Sequence, residues 1–589
     1  MVSRLLTGET ERQKEVYLQV ARYLLESFAV PAFRSHATVG LVDRDRIQFY
    51  HANRSVILVS SAINFSARDR TGGVEKFIAI VIAFSRLSLR DNGILHNLHD
   101  GNLFADNRKL HITKARSPFL PRGEVQVQVG NKLKFGGDEN TEAFTLTYGE
   151  VISNEPSLTG RSTVVLQAES SRWEGVDLVI KISWPSSTRV AEQVFIERAT
   201  KKAKSGAEHK WALDHLPQVL FAQDVTFGSD STYEKVASLF DDPEFVGKEY
   251  KYERRTLRII IQERLYPLKT LTNQKDLAQV LLDTACGTCS LLTCWMHDAD
   301  WYLVHRWLHD HAGILHRDLG PNNIMYRKVK GKIHGVLADY DLASLRATLT
   351  LDRTKTSQQR TGTPPFMAYG LLKGNDPIHL YRHDLESLFY TILILATHYE
   401  IRAPGKEGGG MRVREEQQCF QDWFETTNYD VLATMKSGFV TELHPFQPSP
   451  SFNSFRSWLS KLRVMFHRGF TAKNAQKLLQ EIKGQSDDDE ESDDKEPDDK
   501  ESNHKESNHK ESDDEESDDE ESDDEEPDNE EPDDEVTPLH YDDETLGGHV
   551  TYSAFIKTAR KLSGKLRGLA IRYDPPRTPP SIGISAVQA

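Results

Sequence analysis

Within ILHRDLGPNNIMYR (314–327), Asp318 is followed five residues later by Asn323. The stretch before it (298–311) reads as helix and the residues after it as a short apolar strand, so both side chains belong to one connecting loop. A carboxylate placed there can accept the proton of an attacking hydroxyl, while the amide oxygen holds a metal beside phosphates. GVLADYDLAS (335–344) adds Asp339 at the end of an apolar strand, sixteen residues beyond Asn323, with KVKGK as the turn between the two strands. Two metal-binding groups on adjacent strand ends, beside a base, are the parts of a phosphoryl-transfer site. In the competing reading Asp318 caps a loop and Asp339 and Asp341 are turn residues; independent features elsewhere in the chain weigh for the site.

Lys181 lies inside the apolar strand DLVIKISW, where an ammonium is costly unless paired. The next helical stretch, RVAEQVFIERA, offers Glu192 and Glu197. Glu192 has the better context, because the residues after it step along a buried face. An edge-strand lysine reaching to water is the alternative. LTGRSTVVLQ supplies one glycine, Gly160, where three would let backbone amides close over phosphates. Val165, sixteen residues before Lys181, stands where a valine would roof an adenine. RTGTPPFMAYGLL (360–372) fits a substrate-positioning loop in which Thr363 hydrogen-bonds Asp318. HDLESLFYTILIL (383–395) reads as a buried helix whose Asp384 accepts hydrogen bonds from the backbone of the Asp318 loop.

Residues 9–30 have helical periodicity, with Val16, Leu18, Val20, Ala21, Leu24 and Leu25 along an apolar stripe. From about 37, short alternating runs separated by turn residues predict a small antiparallel sheet, and 77–89 returns to helix. The apolar runs 77–84 and 390–396 suit buried helices or strands. Residues 1–145 thus read as a mixed α/β unit of unknown role. Residues 146–268 read as mainly strands with one amphipathic helix at 188–203, and 269–485 as helical. An acidic stretch (486–538) and a last helical segment with a tail (539–589) complete the expected organisation.

The net charge of −16 hides a division. Residues 486–535 carry 31 Asp and Glu against 4 Lys, a local charge of −27, which leaves the rest of the chain at about +11. Nine pentads in unbroken register, from ESDDK to EPDDE, fill 491–535 without an apolar residue, so this stretch cannot offset the entropy of ordering itself. It reads as a disordered insert that either solubilises the chain or binds a basic protein partner. Ser512, Ser517 and Ser522 each have an acid three residues on and suit acid-directed phosphorylation. Four cysteines in 589 residues suggest a reducing compartment, cytoplasm or nucleus. No run approaches the roughly 18 apolar residues of a membrane helix. The basic stretches at 200–205 and 557–568 do not amount to a nucleic-acid surface. Cys286, Cys289, Cys294 and His297 superficially resemble a zinc set, but their apolar surroundings favour core cysteines.

In order and spacing these motifs resemble the eukaryotic protein kinase fold. GRSTVV, VIKISWP, ILHRDLGPNNI, DYDLAS, RTGTPPFMA, HDLESLFY and DDETLGGHVTY together resemble the fungal-type protein kinase family, over roughly residues 37–560. The resemblance implies an α+β, bilobal protein kinase-like fold, with a β-rich lobe before a helical one, carrying an N-terminal α/β extension and the acidic insert. It implies ATP and Mg²⁺, with Lys181 on the α- and β-phosphates, Glu192 orienting it, Asp318 as base, and Asn323 and Asp339 on Mg²⁺. Three departures stand out: Asp341 replaces the glycine after the magnesium aspartate, Gly320 replaces the loop lysine, and Ala368-Tyr369-Gly370 replaces an Ala-Pro-Glu stop. Losing one charge-stabilising group costs on the order of 10²–10³ in rate, so weak activity is compatible with the sequence. Arg317 occupies a position that commonly receives an activation-segment phosphate, and 342–363 supplies Thr348, Thr350, Thr354, Thr356 and Ser357 among Arg346, Arg353, Lys355 and Arg360. A merely solvated basic loop is the other reading of that segment. The expected function is ATP- and Mg²⁺-dependent transfer of the γ-phosphate to a protein Ser/Thr hydroxyl. The alternatives are a nucleotide-binding pseudokinase or scaffold, and a small-molecule kinase.

Overall fold

The computed structural model describes residues 11–29, 34–66, 72–87, 93, 132–135, 142–155, 157–225, 227–242, 252–285, 304–346, 362–374, 378–402, 409–415, 418–442, 444–490 and 541–558. The Cys286–His297 set, the threonines at 348–356 with Ser357, and the acidic pentads lie outside these residues. The architecture is α+β: small antiparallel sheets accompanied by many helices. No helix among the described residues is long and apolar enough to cross a membrane.

Helix α1 (Glu11–Ala29) places Val20, Leu24 and Phe28 on one face, at spacings of four, and packs them on Ala37, Tyr50 and Ala52 of a four-stranded sheet. That sheet is made of β1 (His36–Asp43), β2 (Arg46–Asn53), β3 (Ile57–Val59) and β4 (Ile63–Asn64). Helix α2 (Gly73–Arg86) forms where its apolar run predicts one, but it is not buried. Ile78, Val81 and Ile82 are about half exposed. Apolar residues ring this helix, and only the side bearing Phe77 and Phe84 meets the sheet, through stacking on Phe65 and Phe49.

A six-stranded antiparallel sheet follows, comprising β5 (Lys132–Phe135), β6 (Phe144–Glu155), β7 (Thr163–Glu169), β8 (Leu178–Ser183), β9 (Val219–Val225) and β10 (Leu257–Glu263). Its spatial order is β5-β6-β7-β8-β10-β9. The sheet therefore starts before the boundary expected at 145, because β5 pairs with β6 and β6 itself spans that position. Strand alternation divides β8: Leu178, Ile180 and Ile182 join Leu166, Ile259 and Ile261 in one core, while Lys181 faces the other way. Val165 on β7 and Ile260 on β10 lie directly across from Lys181 and share its face.

Helix α3 (Glu192–Lys204) starts later than the 188–203 pattern predicts. Residues 187–189 form a turn instead, in which Ser187 N donates to Arg254 O at 2.9 Å and Arg189 N to Ser186 O at 3.1 Å. Short α4 (Thr232–Leu239) is a second helix in a region read as having one. Beyond the sheet come the two-residue strands β11 (Tyr266–Pro267) and β12 (Ile314–Leu315), and α5 (Gln274–Ala285) packs so closely on the hairpin of β13 (Ile324–Val329) and β14 (Lys332–Leu337) that a Cβ at Gly335 would lie 2.6 Å from Val280 O. Helix α6 (Tyr381–His398) is buried at every position and sits inside the largest core, with α7 (Tyr429–Thr441) and α8 (Arg456–Glu490) around it. After the acidic stretch, residues 541–558 return to this core and bury Leu546, Val550, Tyr552, Phe555 and Ile556.

Candidate active site

The loop between β12 (Ile314–Leu315) and β13 is fixed from below by buried polar groups. His316 donates Nε2–H to Ala338 O at 3.0 Å, Thr391 Oγ1 donates to Leu319 O at 2.9 Å, and the Arg317 amide donates to Asp384 Oδ2 at 3.0 Å. Arg317 has a φ of 72°, a left-handed conformation that a non-glycine residue keeps only when its surroundings impose it. Asp384 is the hub, because it also accepts from His305 and His379, each at 2.8 Å.

Asp318 is held above this support. Its Oδ1 accepts from both the amide and the hydroxyl of Thr363, each at 3.1 Å. Its Oδ2 accepts from Asn323 Nδ2 at 3.0 Å, and the same nitrogen reaches Asp318 O at 2.8 Å. Asn323 thereby uses its amide nitrogen on Asp318, which leaves its oxygen as a potential metal ligand. Ala338 N donates to Asn323 O at 2.8 Å and brings the end of β14, with Asp339, alongside. Burial, reinforced by Asp339, raises the pKa of Asp318 even though His316 pulls it down, so its carboxylate is more basic than an ordinary aspartate.

From the sheet side comes Lys181, with Nζ 2.7 Å from Glu192 Oε1, 2.9 Å from Asp339 Oδ1 and 3.2 Å from Asp341 Oδ2. Of the two candidate glutamates, Glu192 in the first turn of α3 makes the pair, while Glu197 is exposed. Burial opposes the charge on Lys181, but Asp339, Asp341 and Glu192 outweigh it and hold the lysine pKa above its usual value. Burial also opposes ionisation of Asp339, yet Lys181 and Arg161 keep it well below the ordinary carboxylate range. Glu192 is pushed up to about 7 by burial and by the Asp341 carboxylate.

Arg161 was not singled out by motif reading. It follows Gly160 on the loop joining β6 to β7, and its Nη1 lies 3.3 Å from Asp341 Oδ2 and 3.7 Å from Asp339 Oδ2. Asp341, which stands where the resemblance places a glycine, is thus paired with both Lys181 and Arg161. The signal available was a cation directly after the loop's single glycine, overlooked when the loop is judged by counting glycines. Gly160 itself (φ 118°) donates its amide to Arg54 O at 2.8 Å.

Two cations, Lys181 and Arg161, face four carboxylates: Glu192, Asp318, Asp339 and Asp341. Oxygens of Glu192, Asp339 and Asp341 lie within 4.8 Å of one another, and the buried Oδ1 of Asp341 has no hydrogen-bond partner. This excess of hard oxygen donors fits a divalent cation such as Mg²⁺. The metal set expected from the sequence is Asn323 with Asp339, and Glu192 and Asp341 bring two further carboxylates beside Asp339.

The stop segment lacking glutamate is secured differently. Tyr369 N donates to Glu386 Oε1 at 2.7 Å, and fully buried Lys436 on α7 donates to Met367 O at 2.5 Å. Arg382 turns to the returning C-terminal segment, donating to Asp543 Oδ2 at 3.1 Å.

The fungal protein kinase model matches residues 3–396, about two thirds of the chain. The match begins nearer the N-terminus than the motifs suggested and stops short of DDETLGGHVTY. No curated protein matches. A match of this extent, covering the sheet, the Asp318 loop and most of α6, decides the assignment: this chain belongs to the fungal protein kinase family.

Proposed function

We propose that the chain is an ATP- and Mg²⁺-dependent protein kinase that phosphorylates Ser or Thr hydroxyls, with the six-stranded sheet and the helical body as its two lobes. The observation that carries this reading is the convergence of Asp318, held by Thr363 and Asn323, with the Lys181–Glu192–Asp339 cluster. The substrate hydroxyl attacks the γ-phosphorus. A new O–P bond forms as the bond to the bridging oxygen breaks, ADP departs with that electron pair, and the hydroxyl proton passes to Asp318. Its raised pKa suits Asp318 to that acceptance. Lys181, steered by Glu192, binds the α- and β-phosphates. Val165, facing the same side of the sheet as Lys181, covers the adenine, and Gly160 lies on the loop over the phosphates. Asp339 and Asn323 would hold Mg²⁺, which when bound neutralises charge on the phosphates.

The direct test is γ-phosphate transfer from ATP by the purified chain to itself and to basic proteins, beside Asp318→Ala. Transfer that vanishes in the variant supports the reading. A second reading, a nucleotide-binding scaffold, has one observation in its favour: Lys181 and Asp339 are engaged with each other at 2.9 Å. Binding of Mg-ATP without transfer to any protein acceptor would favour it.

A further inference from the structure

We propose that Arg161 is a catalytic residue that binds the transferred phosphoryl group, taking the place of the loop lysine that Gly320 lacks. This rests on the kinase reading above and extends it. Gly320 has no side chain, so no cation reaches the site from that position. The guanidinium of Arg161 instead lies beside Asp339 and Asp341, within electrostatic reach of Asp318. It therefore pairs with the residue proposed to hold the metal and is near enough to the residue proposed as base to feel its charge, where a phosphoryl group in transfer would be met.

The backbone that carries Arg161 is built to aim it. Trp184 N donates to Arg161 O at 2.6 Å, Gly160 N donates to Arg54 O at 2.8 Å, and Arg54 Nη1 donates to Ser157 O at 2.8 Å. The side chain remains 30% exposed, whereas those of Lys181 and Asp341 are 9% and 2% exposed. Arg161 is the more open cation of the cluster, and Asp341 keeps Lys181 as a partner when Arg161 turns to a phosphate. A guanidinium fork matches two phosphoryl oxygens and donates hydrogen bonds without making or breaking a covalent bond.

The experiment compares wild type with Arg161→Gln, Arg161→Lys and Arg161→Gln/Asp341→Asn. Two readouts are taken: kcat and KM for ATP in transfer, and the ratio of ADP to ATP dissociation constants measured without acceptor. The expected result is a fall in kcat of about 10²–10³ for Arg161→Gln, partial recovery in Arg161→Lys, and no recovery in the double variant. The preference for ATP over ADP should shrink at least tenfold in Arg161→Gln. Restoration of wild-type kcat by the added Asp341→Asn would overturn the proposal, because Arg161 would then only balance Asp341. An unchanged ATP-to-ADP preference would overturn it equally. Should wild type transfer nothing, the kinase reading fails on the first readout, while the binding ratio still decides whether Arg161 senses the γ-phosphate.

Discussion

Replacing Asp384 with alanine removes one carboxylate from beneath the Asp318 loop, and its cost can be worked from three contacts. Asp384 is fully buried and accepts from His305 and His379 at 2.8 Å and from Arg317 N at 3.0 Å. Hydrogen bonds to a charged group contribute about 1.5–3 kcal/mol each. Three at the lower figure come to roughly 4.5 kcal/mol, within the range of about 3–5 kcal/mol for breaking a buried charged pair. A domain is stable by only about 5–15 kcal/mol, so the loss is a large share. The Arg317 amide also loses the bond that helps hold its left-handed backbone, so Asp318 should lose position as well. Urea unfolding followed by tryptophan fluorescence measures the first effect, and phosphate transfer under folding conditions the second. The effect has a pH signature. Burial opposes its charge, but His379 and His305 hold the Asp384 pKa well below the ordinary value. Its contribution is therefore present above about pH 4 and lost as pH falls below it, so the gap between wild type and variant should close in acid. A loss under 1 kcal/mol at pH 7 would refute the reasoning.

Asp283, buried and held by Gly335 N at 2.8 Å and Gln279 Nε2 at 2.6 Å, is pushed up to about 7 by burial. The folded state then binds more protons than the unfolded one between about pH 4 and 7, so stability falls as pH rises, by about 1.4 kcal/mol per unit. Asp283→Asn should remove that slope, and parallel slopes in urea titrations at pH 5 and 7 would contradict it. Lys181→Met should lower transfer at least about 10²-fold, and should destabilise by about 3–5 kcal/mol because Glu192 and Asp341 are left buried with one cation fewer. Transfer within tenfold of wild type would exclude the proposed phosphate role. Tyr552→Phe removes the hydroxyl 2.9 Å from His305 Nδ1 but keeps the ring stacked on Tyr381. It should cost about 1–3 kcal/mol, and Tyr552→Ala about 3–5 kcal/mol. A Tyr552→Phe variant as stable as wild type in calorimetry would show that the hydroxyl contributes nothing.

What could be read in advance was local. Asp318, Asn323 and Asp339 fall within 22 residues, on elements whose apolar pattern is clear, and a lysine inside β8 announces a buried partner. Glu192 could be preferred over Glu197 because helical periodicity fixes which one faces inward. Contacts between distant segments left no such trace. Arg161 meets Asp341 across 180 residues, and Tyr552 reaches His305 across 247. Helix α2 shows the converse, since hydrophobicity predicts burial but periodicity decides how much of a helix can touch one sheet. The expected boundary at 145 falls inside β6, whose pairing with β5 joins residues on both sides of it.

Arg54 has a consequence for how this chain can be divided. Its guanidinium lies 4.0 Å from the Phe28 ring centroid and 5.9 Å from that of Trp184, while its backbone and side chain grip Gly160 and Ser157. One residue of the β2–β3 turn thus joins the first helix, the β6–β7 loop and the end of β8. A fragment starting at 146 would forfeit β5, uncover Trp184 and leave the loop without its anchor. The two parts behave as one inherited module, in keeping with a family match that opens at residue 3. Domain exchange or circular permutation should be tolerated at exposed loop tips and fail at this seam.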